Sequence, residues 1–284
     1  MARQLTTMTS DTTNTGNTAD TPNLMSKAGR VISDYKYPMV FLILFLSVWT
    51  IGVRIYSVPT YVLPAPADIA LSFRGEVSSL LGHTRVTLYE AFVGWVLGNA
   101  IGISLGAFMA EFQAVKRSIY PYMVVLRSIP VIAFAPLLII WLGINQSSII
   151  AAATVTTFFP SLVNSIAGFS STDALTKELM HSLNASRWEI FRKVKLYNAL
   201  PYLFSALRIS VALTFVGAVV GEWLAGNEGL GYLILVANNQ LATLLLFRTL
   251  FVIGLLSTVW FGLLVLVESH LIDWESQSGG GATR

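Results

Sequence analysis

The chain has 284 residues, 54% of them hydrophobic and only 12% charged, whereas soluble domains carry roughly 25% charge; an ordinary soluble domain is excluded and a polytopic membrane protein is indicated. It contains no cysteine, which excludes a disulfide framework, a thiolate metal site and a thiol nucleophile, and His83, His181 and His270 lack metal-ligand spacing. The net charge of +3 comes from Lys and Arg bordering apolar runs, so it reports topology and not nucleic-acid binding.

Residues 1–26 are mostly Thr, Ser and Asn and are expected to be disordered; no apolar region of the kind a secretory signal needs stands near the start. Residues 1–36 form a tail and juxtamembrane segment, and Lys27, Arg30 and Lys36 place it in the cytoplasm. The first apolar run, about 37–56, is long enough to span a bilayer. Residues 57–84 follow outside, with three prolines in SVPTYVLPAP and a short amphipathic helix expected over 68–81.

The second span, about 86–110, carries Gly94, Gly98, Gly102 and Gly106, each four residues apart. That spacing makes one helix face a groove for another helix. Residues 102–106 also spell the hydrolase pattern G-x-S-x-G, but that pattern needs a strand-to-helix turn, and here it lies inside an apolar helix. The third span, about 119–142, follows a short inner loop holding Lys116 and Arg117 and is interrupted by Pro121, Pro130 and Pro136, with Arg127 in its inner third. After a tight turn at 143–147, the fourth span, about 148–169, sets Thr154, Thr157, Ser161 and Asn164 or Ser165 along one face. Such a stripe serves either interhelical hydrogen bonds or a pathway lining.

Residues 172–200 are the longest polar interruption and hold five of the 18 Lys and Arg. Thr172 or Asp173 is positioned to cap a first short helix bearing Leu175, Leu179 and Leu183. Asn184 breaks it, because Asn tolerates the left-handed backbone that ends helices. Ser186 and Glu189 have capping-box spacing and begin a second helix, with Trp188, Phe191 and Val194 set against Arg187, Arg192, Lys193 and Lys195. Pro201 introduces the fifth span, about 202–225, with Glu222 near its outer end. GNEGLG (226–231) leads into a segment reaching about 241 that is a candidate re-entrant element; no strand precedes its glycines, so a dinucleotide fingerprint is dismissed. The sixth span, about 245–267, closes a membrane domain of 37–268, and 269–284 form a polar cytoplasmic tail. The expected inner segments, with Arg208, hold thirteen Lys and Arg, and the outer ones four, Arg54, Arg74, Arg85 and Arg248. The bias puts the elbow at 172–200 and both termini inside.

That elbow resembles the EAA loop of ATP-binding-cassette importer permeases, with Glu178, the helix break, Ala185-Ser186, Phe191, Val194, Leu196 and Ala199-Leu200-Pro201 in register. Leu179 and Met180 replace the usual alanines, and Asn184 replaces a glycine while keeping the turn. LRSIPVIAFAPLLIIWLGI (126–144), SALRIS (205–210) and VVGEWLAGNEGLGYLI (219–234) resemble permeases of the nitrate, sulfonate, taurine and bicarbonate branch, over about residues 60–265. Glu90 stands where that branch often has a basic residue.

The resemblance implies an all-α, type I importer permease fold of about six transmembrane helices in a bacterial inner membrane, moving a small solute, with an anion expected. It further implies two permeases, with a homodimer expected, an external solute-binding protein, and two ATPase subunits docked on Glu178, Asn184, Ala185, Ser186, Trp188, Phe191 and Pro201. No Gly-Lys dipeptide occurs, so the chain has no phosphate-cradling loop and is not expected to be an enzyme or to bind a cofactor; ATP and Mg are expected on the partners. Arg127, Thr154, Thr157, Ser161 and Asn164 are the pathway candidates. An ion- or proton-coupled carrier is the alternative, but such proteins keep ionisable groups deep in the membrane, whereas Glu90, Glu222 and Glu268 fall near span ends.

Overall fold

The computed structural model describes residues 24–74 and 77–271; the expectations for 1–23 and 272–284 lie outside the described residues. Two units separate by contact, residues 1–56 and 57–284. The first contributes α1 (Leu24–Ile55), which extends the first apolar run on its N-terminal side and takes in residues 24–26, expected to be disordered. Its Ser47 and Thr50 hydroxyls donate to the carbonyls of Ile43 and Leu46 at 2.7 Å, which hides polar groups that a bilayer would leave unsatisfied.

The second unit opens with α2 (Pro66–Ser72), started by Pro66 in the first helical turn, where proline's missing N–H has no intrahelical acceptor. The single helix expected over 68–81 is therefore corrected: α2 closes at Ser72, and Leu80 and Leu81 belong to α3 (Val77–Glu111). The third span also differs from expectation. It consists of α4 (Gln113–Arg127) and α5 (Val131–Leu142), bent by 102° at the break. Pro130, the residue preceding α5, makes the break, while Pro121 and Pro136 lie inside helices. A proline restrains the residue before it away from helical backbone, so Ile129 stops α4 where neither of the other prolines does.

Gly143 adopts φ 86°, and the Asn145 side chain accepts the Ser147 N–H at 2.8 Å to start α6 (Gln146–Ser170). The elbow forms α7 (Ala174–Ser182) and α8 (Arg187–Ile190), and then a π-helical turn (Phe191–Lys195) runs directly into α9 (Leu196–Ala225). α10 (Leu230–Asn239) and α11 (Thr243–Leu271) complete the described residues. Among the described residues, five helices are long and apolar enough to cross a membrane, six if the bent α4–α5 pair is one span.

The core is α3, α6 and α9. α3 and α6 run parallel with Gly94, Gly98, Gly102 and Gly106 facing Ala153, Thr157, Ser161 and Ser165 in constant register. A Cβ on Gly98 would lie 2.6 Å from the Thr157 Cβ, and one on Gly102 2.7 Å from the Phe158 carbonyl; no side chain fits at that separation. α9 runs antiparallel, with Gly217 and Gly221 against Ala152 and Ile149, and Ala199 against Gly168. At the centre Ser161 Oγ donates to Asn99 Oδ1 at 2.6 Å and Asn99 Nδ2 donates to Ser210 Oγ at 3.2 Å, one contact from each helix. Thr214 donates to the Ala91 carbonyl at 3.0 Å and Trp95 Nε1 to the Leu207 carbonyl at 3.2 Å. Such bonds contribute about 0.6–2 kcal/mol each in a membrane, so their main effect is register.

Valine at Gly102 must push α3 off α6. Overpacking of this kind costs about 1–3 kcal/mol, so the Gly102→Val variant is expected to lower the thermal midpoint of the detergent-purified chain by several degrees. Gly262→Val, where a Cβ meets nothing within 4 Å, is expected to leave the midpoint near wild type; equal effects would refute the packing account.

Candidate functional site

The elbow is built by three local devices. Asn184 takes φ 56°, and its N–H donates to the His181 carbonyl at 3.0 Å, as Ala185 N–H does to Met180. Ser186 N–H then donates to Glu189 Oε2 at 3.0 Å while Glu189 N–H donates to Ser186 Oγ at 3.3 Å, a complete capping box. The side-chain cap expected from Thr172 or Asp173 is not made: Asp173 precedes α7 without a capping bond, and Thr172 is buried.

The third device is the π-helical turn. Such turns insert a residue into an α-helix and gather at functional sites. Here it joins α8 to α9 without a gap, and Pro201 falls inside α9 instead of opening a new helix. The elbow's second half is therefore the end of the fifth span itself. Phe191 stacks between Trp188 (5.7 Å between ring centres, 17°) and Phe169 (5.5 Å, 12°). Phe169 is buried at the end of α6, whereas Trp188 is 66% exposed. Lys195 pairs with Glu111 at the end of α3. One turn of the chain thus grips α3, α6 and α9 together.

Leu175 and Leu179 of α7 and Leu183 just after it are exposed, as is Glu178. A cleft of about 380 Å³ lies between Trp188, Phe191 and Arg187 on one side and Ala107 and Phe108 of α3 with Phe112, which follows α3, on the other. On the other side a polar cleft of about 700 Å³ is bordered by Asp173, Asn198, Pro201 and the Arg208–Glu268 pair, whose atoms are 3.0 Å apart and link α9 to α11.

The pathway candidates separate. Arg127 is exposed at the last residue of α4, on the 102° bend. Thr154 and Asn164 are half-buried and bond the carbonyls of Ile150 and Pro160, both at 2.8 Å. Thr157 and Ser161 are fully buried against the α3 glycines, so within this chain they face a helix and not an opening.

At the end opposite the elbow, the structure assembles a group that sequence reasoning left apart. Glu90 (2% exposed) on α3 and Glu222 (fully buried) on α9 are both enclosed here. Leu230 N–H donates to Thr87 Oγ1 at 2.7 Å, Gly229 N–H to His83 Nδ1 at 3.0 Å, and Gly231 N–H to Glu222 Oε2. Gly229 has φ 102°, and a Cβ there would strike the Glu222 carboxylate, so only glycine fits. The sequence did hold a signal: Glu90 is one four-residue step before Gly94 on the same helix face.

Comparison with known proteins gives this geometry its context. Residues 98–273 match the family of the binding-protein-dependent transport system inner membrane component. The formylaminopyrimidine transport permease protein ThiX of Halalkalibacterium halodurans is 33% identical over 84% of this chain and 96% of its own length. The riboflavin transport system permease protein RibX of Chloroflexus aurantiacus is 36% identical over 84% and 89%, and the putative aliphatic sulfonates transport permease protein SsuC of Bacillus subtilis 27% over 89% and 93%. Structures of inward-facing conformations of the MetNI methionine transporter share the fold, with a TM-score of 0.60 and 19% identity over 69% of this chain and 98% of that one. The chain belongs to the binding-protein-dependent inner membrane component family and is a permease subunit of an ATP-binding-cassette importer.

Proposed function

We propose that the elbow is a coupling lever through which two ATPase subunits drive alternating access in a pair of these permeases. The observation that carries this is the unbroken helix from Arg187 through the π-helical turn to Ala225. A force on Trp188 acts on α9 directly and, through Phe191 and Phe169, on α6. The exposed Trp188, Leu175 and Leu179 offer the apolar anchors, and Glu178 the polar contact, that a docking groove needs. Asn184, Ala185 and Ser186 shape the elbow for that fit, and Pro201 weakens α9 by one backbone bond just beyond it.

In this reading the elbow and both termini face the cytoplasm of a bacterial cell, and a solute-binding protein docks on the outer side. ATP and Mg bind the partner subunits. A second copy of the chain completes the pathway, with Arg127, Thr154 and Asn164 as lining and Thr157 and Ser161 reassigned to helix packing. The cargo is a small nutrient. Arg127, exposed on the bend, supports an organic anion such as a sulfonate, whereas the higher identity to the formylaminopyrimidine and riboflavin permeases favours a nitrogen heterocycle.

Glu178→Arg and Trp188→Arg, both at exposed positions, are expected to insert normally yet lose ATPase binding. Removal of an interface anchor costs about 2 kcal/mol or more, roughly thirtyfold in affinity, and uptake and ATPase stimulation fall with it; normal coupling in either variant overturns the lever. Uptake is expected to stop on ATP depletion and to persist with a proton-gradient uncoupler, the reverse of a secondary carrier. Competition of radiolabelled formylaminopyrimidine, riboflavin and taurine in cells with and without the chain distinguishes the cargo classes.

A further inference from the structure

We propose that the groove between α3 and α11 binds one acyl chain of an anionic phospholipid, and that Arg85 holds the lipid's phosphate at the mouth of the groove. The leaflet is the one away from the elbow, whichever compartment that faces, so the site stands whether or not the elbow is a lever. Thr214 meets Ala91 and Leu207 meets Trp95, so α3 and α9 are antiparallel. Arg208 meets Glu268 and Phe215 meets Trp260, so α9 and α11 are antiparallel as well. α3 and α11 therefore run side by side in one direction, and the groove of about 550 Å³ between them follows their axes. It extends from Arg85 to Phe92 on α3 and from Leu256 to Leu263 on α11, about 10 Å at a rise of about 1.5 Å per residue. The hydrocarbon of one leaflet is about 15 Å deep, so the groove takes most of the length of a single chain.

The walls are preformed. Trp260 packs on Phe92 (5.7 Å between ring centres), on Trp95 (5.4 Å) and, edge-on, on Phe215 of α9 (5.7 Å, 89°), while Leu88, Tyr89 and Val259 stand exposed beside it. A chain lying there gains contacts that a gap would forfeit, but it gains no hydrophobic energy over bulk lipid. The choice among lipids therefore falls to the headgroup. Arg85 is exposed and is the charged residue of the lining. It has no ion-pair partner among the described residues, and Glu90 is buried one four-residue step from Gly94 on the same helix. A guanidinium presents a planar fork that pairs with two phosphate oxygens. A zwitterionic lipid brings its own cation to compete for that phosphate, whereas an anionic one leaves it to Arg85. Tyr89, one turn further along α3, supplies the amphipathic ring that favours the headgroup boundary.

The full-length chain in phosphatidylcholine nanodiscs provides the test, with dibrominated phosphatidylglycerol or dibrominated phosphatidylcholine added at rising mole fraction. Bromine quenches tryptophan on contact, and the part of the fluorescence absent from Trp260→Phe reports the groove. That part is expected to be quenched by the phosphatidylglycerol at about fivefold lower mole fraction than by the phosphatidylcholine, the preference that one interfacial cation supplies. Arg85→Gln, at an exposed position, is expected to bring the two lipids level. Val259→Phe, which fills the groove and leaves Arg85 in place, is expected to protect Trp260 from both. Equal preference in the wild type and Arg85→Gln overturns the proposal, as does unchanged quenching in Val259→Phe. A Trp260 signal that neither lipid quenches also overturns it and assigns the groove to a protein segment, from this chain or a second copy.

Discussion

The close approach of α3 and α6 sets the position of every other element. Four glycines at four-residue spacing let the two parallel helices touch backbone to side chain, with Cβ-bearing residues of α6 occupying the space where side chains of α3 would stand. In a membrane no water is released when apolar surfaces meet, so helices associate through contact distance and hydrogen bonds. A groove of glycines maximises both. The Asn99–Ser161–Ser210 contacts then pin the register of the three helices against one another.

With that register set, the two ends of the bundle acquire different chemistry from the same helices. At one end α3, α6 and α9 terminate in Glu111, Phe169 and the π-helical turn, and Lys195 and Phe191 reach the first two. At the other end α3 contributes His83 and Thr87 and α9 contributes Glu222, which accept from the backbone of the 229–231 turn. Both ends are held by polar or aromatic contacts between helices, while the middle is held by shape. A rigid centre with specific contacts at each end is the arrangement in which tilting α9 at one end alters the other, since packed interiors do not absorb displacement gradually.

Much of this was legible in the sequence because its causes are local. The Asn184 turn depends on one residue's backbone preference, and the Ser186–Glu189 box on three-residue spacing; both occur where expected. The glycine face of α3 follows from helical periodicity alone. What could not be read was the outcome of competition between tertiary contacts. Three prolines compete to break the third span, and the one at Pro130 does so because Ile129 lies between two helices that leave at 102°. Pro201 signals a helix start, yet the helix continues through it, since the π-helical turn and the packing of Ala199 on Gly168 hold both sides in line. The polar stripe of α6 had two readings, and only the partner helix separates Thr157 and Ser161 from Thr154 and Asn164.

The carboxyl pair illustrates the same limit in a sharper form. Glu90 and Glu222 are far apart in sequence, and each taken alone reads as a residue near a span end, which is where isolated charges are tolerated because they reach water. Their helices cross where neither does. A buried carboxylate requires compensating donors, and here one comes from a turn whose glycines leave three successive N–H groups, from Gly229 to Gly231, pointing inward. Those of Gly229 and Leu230 meet the side chains of His83 and Thr87, and that of Gly231 meets Glu222. The sequence GNEGLG therefore matters for what it lacks: any Cβ at Gly229 would occupy the place of the carboxylate, so the turn and the buried acid are conditions for each other.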